Sequence, residues 1–305
     1  MNHKRRAFLR WSGSLAAGLA LAPTACKLMS KDEKKEGEEA GKKETPPAAA
    51  GSALTTFGLQ LYTLRDDFPK DPKAVLKQVA DMGYKQVEGY EGKDGIFWGM
   101  GAAGWKKYMD ELGLTFVSTH CDISKDFEKK AAEAASIGMK YLICPWKGPQ
   151  KSLDDFKRFA DEFNQKGEIC KKNGLRFAYH NHDYTFKELG GQMPQDLLMT
   201  STDPALVDFE MDIYWVVTAG QDAEAWLKKY KDRFRLCHVK DRTKGATETA
   251  DSCTLGQGSI DYSRILKTAK ECGMQYYIVE QEKYTGTTPL QAAADDAAYM
   301  KKLVI

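Results

Sequence analysis

Short apolar stretches alternate with longer amphipathic stretches along most of this chain. From residue 56 onward the apolar stretches recur about every 30 residues, the length of one strand followed by one helix. The predicted strands are TFGLQLYTL, YKQVEGY, LTFVSTH, YLICPW, RFAYHNH, LVDFEMDIYWVV, FRLCHVKD and YYIVEQE. Between them, apolar residues three and four positions apart predict helices in PKAVLKQVADMG, FEKKAAEAASIGM, SLDDFKRFADEFNQKGEICKKNG, DAEAWLKKYKDRF and YSRILKTAKECG.

Strands that alternate with helices over roughly 250 residues predict one α/β domain, a (β/α)8 TIM barrel over residues 54–305. Glycine ends many of the predicted helices directly before the next strand, as in a left-handed helix cap. These glycines are Gly83, Gly113, Gly138, Gly174 and Gly273. A doubly wound sheet is the alternative fold, but no GxGxxG motif follows the first predicted strand.

The first 53 residues have a different pattern. Arg5 and Arg6 precede the short apolar segment SLAAGLALAPTAC, and this layout predicts an export signal of the twin-arginine type over residues 1–26. Cys26 resembles a lipoprotein cleavage site, with cleavage by ordinary signal peptidase or an uncleaved anchor as alternatives. Residues 27–53 are charged and rich in Pro and Ala, which predicts a flexible linker. We therefore expect a periplasmic protein or a membrane-anchored lipoprotein.

Composition narrows the class of partner. Apolar residues make up 42% of the chain and charged residues 29%, which is typical of a globular protein with a large core. A formal net charge of +2 provides no basic field for nucleic acid. Six cysteines follow Cys26 without a CxxC pair, and Cys121, Cys144 and Cys237 lie in predicted strands, so we expect buried thiols and no disulfide framework.

Polar side chains cluster where the predicted strands end, and the active sites of TIM barrels lie at that end. Residues two apart on a strand share a face, so His180 and His182 point the same way, as do Glu210 and Asp212. His, Asp and Glu that converge from several strands suit one divalent ion such as Mn²⁺, Zn²⁺, Co²⁺ or Mg²⁺. The strand-end residues are Gln60, Tyr62, Arg65, Glu88, His120, Asp122, Trp146, His180, Asn181, His182, Glu210, Asp212, His238, Lys240, Asp241, Glu280 and Glu282.

The motifs GLQLYTLRD, YHNHDY, EMDIYWVVTAG, HVKD, LGQGSIDY and VEQE, in this order, resemble the xylose isomerase-like barrel family of sugar phosphate isomerases and epimerases. The resemblance is strongest to the exported bacterial branch and covers residues 54–305. In that family a carboxylate after strand five, an aspartate after strand six, a histidine after strand seven and a glutamate after strand eight hold a metal. The resemblance implies that Asp212, His238 and Glu280 take the last three places.

The chain departs from this pattern after strand five, where His180 replaces the glutamate of sugar epimerases. A neutral imidazole there can bind the metal or act as a base near neutral pH. We predict that His180, Asp212, His238 and Glu280 bind the metal and that Glu280 and His180 are the proton-transfer pair. The predicted substrate-binding residues are His120, His182, Lys240, Arg65, Gln60 and Trp146.

Proton transfer next to a carbonyl is the chemistry that these residues suit. We therefore predict a metal-dependent isomerase or epimerase that acts on a sugar, keto-sugar or glycoside. A lyase or hydrolase of 3-keto-glycosides on the same barrel is one alternative. A DNA-repair endonuclease with three zinc ions and a non-catalytic carbohydrate-binding lipoprotein are two others. Export argues against a phosphorylated sugar, and the oligomeric state stays open.

Overall fold

The computed structural model describes residues 51–305. The predicted export signal, Cys26 and almost all of the predicted linker lie outside these residues. Between residues 51 and 305 no helix has the length and apolar character needed to cross a membrane.

Parallel strands form a closed barrel, which confirms the predicted (β/α)8 fold. Neighbouring strands follow one another in chain order, and β8 pairs with β1 to close the ring. The strands are β1 Gly58–Gln60, β2 Gln86–Tyr90, β3 Thr115–His120, β4 Tyr141–Cys144, β5 Arg176–His180, β6 Val207–Asp212, β7 Phe234–Val239 and β8 Tyr276–Val279.

Helices surround this barrel in the order that the amphipathic stretches predict. The five predicted helices are present, and Gly83, Gly113, Gly138, Gly174 and Gly273 all have positive φ. The helices are α1 Pro72–Asp81, α2 Gly101–Glu111, α3 Phe127–Ser136, α4 Leu153–Lys172, α5 Pro194–Ser201, α6 Ile213–Thr218, α7 Ala223–Lys229, α8 Tyr262–Glu271 and α9 Pro289–Met300. Of these, α2, α5, α6 and α9 were not predicted.

The apolar stretch LVDFEMDIYWVV is not one strand. Strand β6 ends at Asp212, and α6 begins at the next residue. The change occurs because Asp212 caps the helix, with its Oδ1 accepting from the Trp215 N–H at 3.1 Å. One aspartate therefore ends a strand, begins a helix and still has a second carboxylate oxygen for another role.

The folded part begins slightly earlier than the predicted residue 54. Ser52 and Ile305 exchange two backbone hydrogen bonds, each 3.1 Å long, and Ala53 pairs with Val304. These contacts tie the start of the described chain to its end, so residues 52 and 53 belong to the folded body and not to the linker.

The main core lies between the barrel and its helices, where Leu59, Val79 and Leu142 are fully buried. A second apolar cluster, which strand alternation places inside the barrel, consists of Tyr141, Ile143, Ala178 and Leu236. Within residues 51–305 the six cysteines are free, and Cys121, Cys144 and Cys237 are buried, as predicted.

Two shifts in strand pairing affect the inside of the barrel. Between β2 and β3 the register shifts after Val87, so that Ser118 lies opposite Glu88. Between β6 and β7 it shifts after Phe209, and Asp212 then lies opposite His238. Such bulges commonly redirect side chains beside active sites.

Candidate active site

Three ligand-type atoms from neighbouring strands converge near the carboxyl end of the barrel. Asp212 Oδ2 lies 3.4 Å from His180 Nε2 and 3.6 Å from His238 Nδ1. We call His180, Asp212 and His238 the upper group. Glu280 adjoins it from β8, with its Oε2 3.1 Å from His238 Nδ1. The predicted metal residues therefore lie together.

The upper group suits a metal ion because two of its buried atoms have no hydrogen-bond partner among the described residues. His180 Nδ1 lies 3.3 Å from the Pro145 carbonyl oxygen, so Nδ1 carries the proton and Nε2 keeps its lone pair free. Asp212 Oδ2 makes no hydrogen bond of ordinary geometry, although Lys240 Nζ lies 2.8 Å away. A buried polar atom without a partner is costly, and an imidazole nitrogen beside a carboxylate oxygen is a ligand set for Zn²⁺, Mn²⁺ or Co²⁺.

Lys240 neutralises the carboxylates at this point. Its Nζ lies 2.8 Å from Asp212 Oδ2, 2.8 Å from Glu280 Oε2 and 2.9 Å from Glu282 Oε1, and the side chain is 1% exposed. Burial opposes the charge of this ammonium, but Asp212, Glu280 and Glu282 raise the pKa of Lys240 well above its usual value. Lys240 is therefore protonated and lies within contact distance of Asp212 and Glu280, the two carboxylates predicted to bind the metal.

The same contacts set the protonation of the other groups. Burial lowers the pKa of His180 to about 4, so its ring is neutral near pH 7. Burial alone would raise the pKa of Glu280, but Lys240 and His238 outweigh it and hold that pKa well below its usual range. Burial also opposes ionisation of Asp212, and Lys240 and the neighbouring histidines lower its pKa in the same way. A neutral imidazole and ionised carboxylates are the forms that bind metals.

A second polar layer lies beneath the upper group and shares His238 with it. We call Glu88, His120, Glu210 and His238 the lower group, because their ligand-type atoms also lie close together. Glu88 Oε1 is 2.7 Å from His238 Nε2 and 3.2 Å from His120 Nε2, and Glu210 Oε2 is 2.8 Å from His120 Nε2. Burial and Glu88 raise the pKa of Glu210 to about 7. Burial opposes the charge of His120, but Glu88 and Glu210 raise its pKa to about 9.

A cavity of about 580 Å³ opens above these layers, within the usual size range of small-molecule sites. Its walls combine aromatic rings with charged side chains, and Tyr62 and Trp146 are 41% and 51% exposed at its edge. The lining residues are Tyr62, Tyr90, Glu91, Gly92, His120, Cys121, Asp122, Lys125, Pro145, Trp146, His180, His182, Glu280 and Glu282.

The predicted substrate-binding residues are divided among three places. His120, His182 and Trp146 line the cavity, and the Trp146 ring packs edge-on against His182 with centroids 4.5 Å apart. Arg65 and Lys240 line an adjoining cavity of about 320 Å³. Gln60 lines neither cavity, since it is fully buried and donates to Glu88 Oε1 at 2.8 Å.

Sequence reasoning did not assign roles to several residues of the site. Tyr90 ends β2, Glu91 follows it and Lys125 lies in the loop after β3, so their place in the chain pointed to the cavity. Glu88 stood among the strand-end residues, but its contact with His238 depends on barrel closure. Contacts between β2 and β7 cannot be read from local spacing.

Comparison with known proteins agrees with this fold. A family model described as xylose isomerase-like TIM barrel matches residues 76–303, and the chain belongs to that family. A solved sugar phosphate isomerase/epimerase from Parabacteroides distasonis ATCC 8503 is 30% identical, with a TM-score of 0.70 over 81% of this chain and 97% of that one. The predicted family is confirmed.

Two curated relatives are named inosose dehydratase. That of Clostridium beijerinckii is 25% identical over 281 residues, which are 84% of this chain and 85% of the relative. That of Clostridium perfringens is 29% identical over 165 residues, 49% of this chain, and the match spans about half (55%) of the relative's length. The prediction of an enzyme agrees with these relatives.

Proposed function

We propose that this protein is a metal-dependent lyase that removes a proton next to the ketone of a keto-polyol or keto-sugar and expels the oxygen on the neighbouring carbon. The observation that carries the proposal is the meeting of the upper group with one carboxylate and one ammonium: Glu280, which lines the cavity of about 580 Å³, and Lys240, which lines the adjoining cavity. His180, Asp212 and His238, with Glu280 at the edge, would hold a divalent ion.

A divalent ion bound there would polarise the carbonyl and hydroxyl oxygens of the substrate. Glu280 is ionised and lines the cavity, so its carboxylate is the base that takes the proton from the carbon beside the ketone. Lys240 Nζ, 2.8 Å from Glu280 Oε2, donates a proton to the departing oxygen. The carbon–hydrogen and carbon–oxygen bonds break, a carbon–carbon double bond forms, and water or an alcohol leaves.

His180 is the residue that favours elimination over epimerisation. Epimerisation by two bases needs a base on each side of the substrate, whereas elimination needs one base and one acid. Burial lowers the pKa of His180 to about 4, which makes it a weak base, and its Nε2 faces Asp212 at 3.4 Å, where an ion would take up its lone pair. The proposal therefore assigns His180 to the metal and not to the predicted proton-transfer pair with Glu280. Glu280 and Lys240 supply the remaining base and acid.

The relatives support the substrate class. An inosose is a keto-polyol, and a dehydratase removes water from it, which is the reaction type that this site suits. The exposed rings of Tyr62 and Trp146 present apolar faces to the cavity, as expected for a ring-shaped polyol or sugar. The proposed partner is therefore a small carbohydrate-like molecule.

Epimerisation or isomerisation is the second candidate. The Parabacteroides distasonis protein, named a sugar phosphate isomerase/epimerase, supports it. Removal of the same proton and its return to the same or a neighbouring carbon would give this outcome without loss of an oxygen.

The test is incubation of the metal-loaded protein in deuterium oxide with an inosose and with a 3-keto-glucoside. The proposal expects loss of water or of the aglycone, measured by mass spectrometry. Deuterium incorporation without that loss would favour epimerisation or isomerisation. Neither exchange nor loss with any of Mn²⁺, Zn²⁺, Co²⁺ and Mg²⁺ would contradict the proposal.

We also propose that the enzyme works outside the cytoplasm, tethered through Cys26. The paired arginines and the apolar segment before Cys26 support this location. Cys26→Ser should release the protein into the soluble fraction, and Arg5→Lys with Arg6→Lys should block export. Wild-type protein found free in the cytoplasm would contradict the proposal.

A further inference from the structure

The two nitrogens of His238 face different polar layers. Nδ1 points to the upper group and Glu280, with Glu280 Oε2 at 3.1 Å and Asp212 Oδ2 at 3.6 Å. Nε2 points down to Glu88 Oε1 at 2.7 Å, with Glu210 Oε2 farther away at 3.5 Å. Burial opposes the charge of this imidazole, but Glu210 and Glu280 raise the pKa of His238 well above its usual value, so an ion bound at Nδ1 would displace the proton there. The remaining proton would then lie on Nε2, against Glu88.

Glu88 is held in place independently of anything in the cavity. Its Oε1 accepts from Gln60 Nε2 at 2.8 Å, and its Oε2 accepts from Ser118 Oγ at 2.5 Å. The shift in strand pairing after Val87 puts Ser118 opposite Glu88. Glu88 is fully buried, so this orientation belongs to the fold and not to a flexible surface group.

We propose that Glu88 is a positioning residue, which accepts the Nε2 proton of His238 and thereby leaves the Nδ1 lone pair directed at the upper group. The inference rests on the proposed function, because it requires the upper group to bind a divalent ion. A carboxylate behind a metal-binding imidazole fixes the tautomer and makes the ligand more basic.

The lower group is accordingly a support for the metal site and not a second metal site. Gln60, Ser118 and His238 already occupy both oxygens of Glu88. The His120 ring nitrogen that faces this layer lies between Glu88 and Glu210. Among the described residues, one atom of the lower group, Glu210 Oε1, lacks a hydrogen bond, whereas the upper group has two such atoms on two of its three members, His180 Nε2 and Asp212 Oδ2.

The test variant is Glu88→Gln, which keeps the shape but removes the charge. Calorimetric titration of the metal-free full chain with Zn²⁺ should show one site in wild type and an affinity about 10–100-fold weaker in the variant. Glu224→Gln is the matched control, since Glu224 on α7 is a buried glutamate that pairs with Arg264 and Thr268, both on α8. The control should bind Zn²⁺ as tightly as wild type.

Histidine NMR on the zinc-loaded protein reports which nitrogen of His238 carries the proton, and a general loss of packing would not change that assignment. Wild type should show His238 protonated at Nε2, with its proton shifted downfield by the carboxylate, and Glu88→Gln should shift that resonance upfield. If Glu88→Gln fails to fold, Ser118→Ala takes its place. That variant retains the carboxylate but loses one orienting hydrogen bond, and it should weaken Zn²⁺ binding by a smaller factor.

Unchanged Zn²⁺ affinity in the folded variant, or His238 protonated at Nδ1 in the wild type, would overturn the inference. Two ions per wild-type chain, with Glu88→Gln removing one, would overturn it in favour of a second metal site. A wild-type protein that binds no divalent ion at all would contradict the proposed function itself, so the two failures are distinguishable.

Discussion

Strand β6 carries an aspartate near each end of the barrel interior, and the two side chains have opposite environments. Asp208, at the amino end, accepts from Arg176 at 2.6 and 2.7 Å and from the Tyr141 hydroxyl at 3.0 Å. Asp212, at the carboxyl end, uses Oδ1 to cap α6, while its Oδ2 lies 2.8 Å from Lys240 Nζ and has no hydrogen bond of ordinary geometry within residues 51–305. Both are at least 98% buried.

The difference shows where this fold stabilises itself and where it leaves room for chemistry. A fully paired carboxylate such as Asp208 contributes to the folded state and is occupied. Asp212 shares the Lys240 ammonium with Glu280 and Glu282, and its Oδ2 has no hydrogen bond of ordinary geometry among the described residues. A bound ion would use this oxygen as a ligand and would stabilise the folded protein. Substitutions at the carboxyl end of β6 should therefore mainly affect function, and substitutions at its amino end should mainly affect stability.

The largest expected effect is on catalysis at the carboxyl end. Glu280→Gln keeps the shape of the side chain but removes the base, so deuterium exchange next to the ketone should fall by a factor on the order of 10²–10⁴. The measurement is solvent exchange followed by mass spectrometry, with Asp208→Asn as a control at the other end of the barrel. Exchange at the wild-type rate in Glu280→Gln would move the base to Glu282 or Glu210.

The next effect is on metal binding, where the two aspartates can be compared directly. Asp212→Asn retains an oxygen to cap α6 but loses the charged ligand, so its metal affinity should fall by more than the 10–100-fold typical of an outer-shell change. Asp208→Asn should bind metal as wild type does. Elemental analysis and calorimetry check both, and equal losses in the two variants would remove the distinction between the ends.

For stability, we expect the larger effect from Asp208→Asn and the smaller one from Asp212→Asn. Asp208→Asn leaves the Arg176 guanidinium and the Tyr141 hydroxyl without their charged acceptor, and we expect a loss of roughly 1–3 kcal/mol in the free energy of unfolding. Asp212→Asn in the metal-free protein should change stability less, since Lys240 keeps Glu280 and Glu282 as charged partners. Urea denaturation of the metal-free variants measures both values. A larger loss for Asp212→Asn would contradict the comparison.

The smallest effect on metal binding is expected at Asp296 on α9, whose Oδ2 also lacks a partner among the described residues but which is not part of either ligand group. Burial raises the pKa of Asp296 to about 8, against about 3.9 in an unfolded chain. The folded state therefore keeps the proton between about pH 4 and pH 8, and stability falls as pH rises through that window.

Asp296→Asn should flatten this part of the dependence of stability on pH, without changing metal content. Thermal unfolding across pH 4–9 measures it. A slope equal to that of wild type would show that Asp296 ionises normally in the folded protein. The variant also tests whether an unpaired carboxylate oxygen, without imidazoles around it, is enough for metal binding.

The sequence predicts the barrel well because its signals are local. Strand–helix alternation, helical spacing and terminal glycines each depend on neighbouring residues, and the structure has the corresponding elements. The two-residue periodicity also predicted that Glu210 and Asp212 share a face, and both point into the site. The start of α6 was missed because a buried strand and a buried helix, both apolar, look alike in LVDFEMDIYWVV.

The contacts within the site are less accessible to sequence reasoning. Glu88 meets His238, 150 positions away, only after the barrel closes and the pairing of β2 with β3 shifts by one residue. Gln60 was predicted to bind substrate because it ends β1, but its side chain turns inward to Glu88. Strand ends can be predicted, whereas the depth of each side chain in the barrel depends on register.

The central claim is that the upper group holds the ion at the carboxyl end of the barrel. The most direct test is a crystal of the wild-type protein soaked with Mn²⁺ or Zn²⁺ and measured for anomalous scattering. We expect one peak about 2.0–2.2 Å from His180 Nε2, Asp212 Oδ2 and His238 Nδ1, with Glu280 beside it. A peak among Glu88, His120 and Glu210, or no peak inside the barrel, would contradict the account.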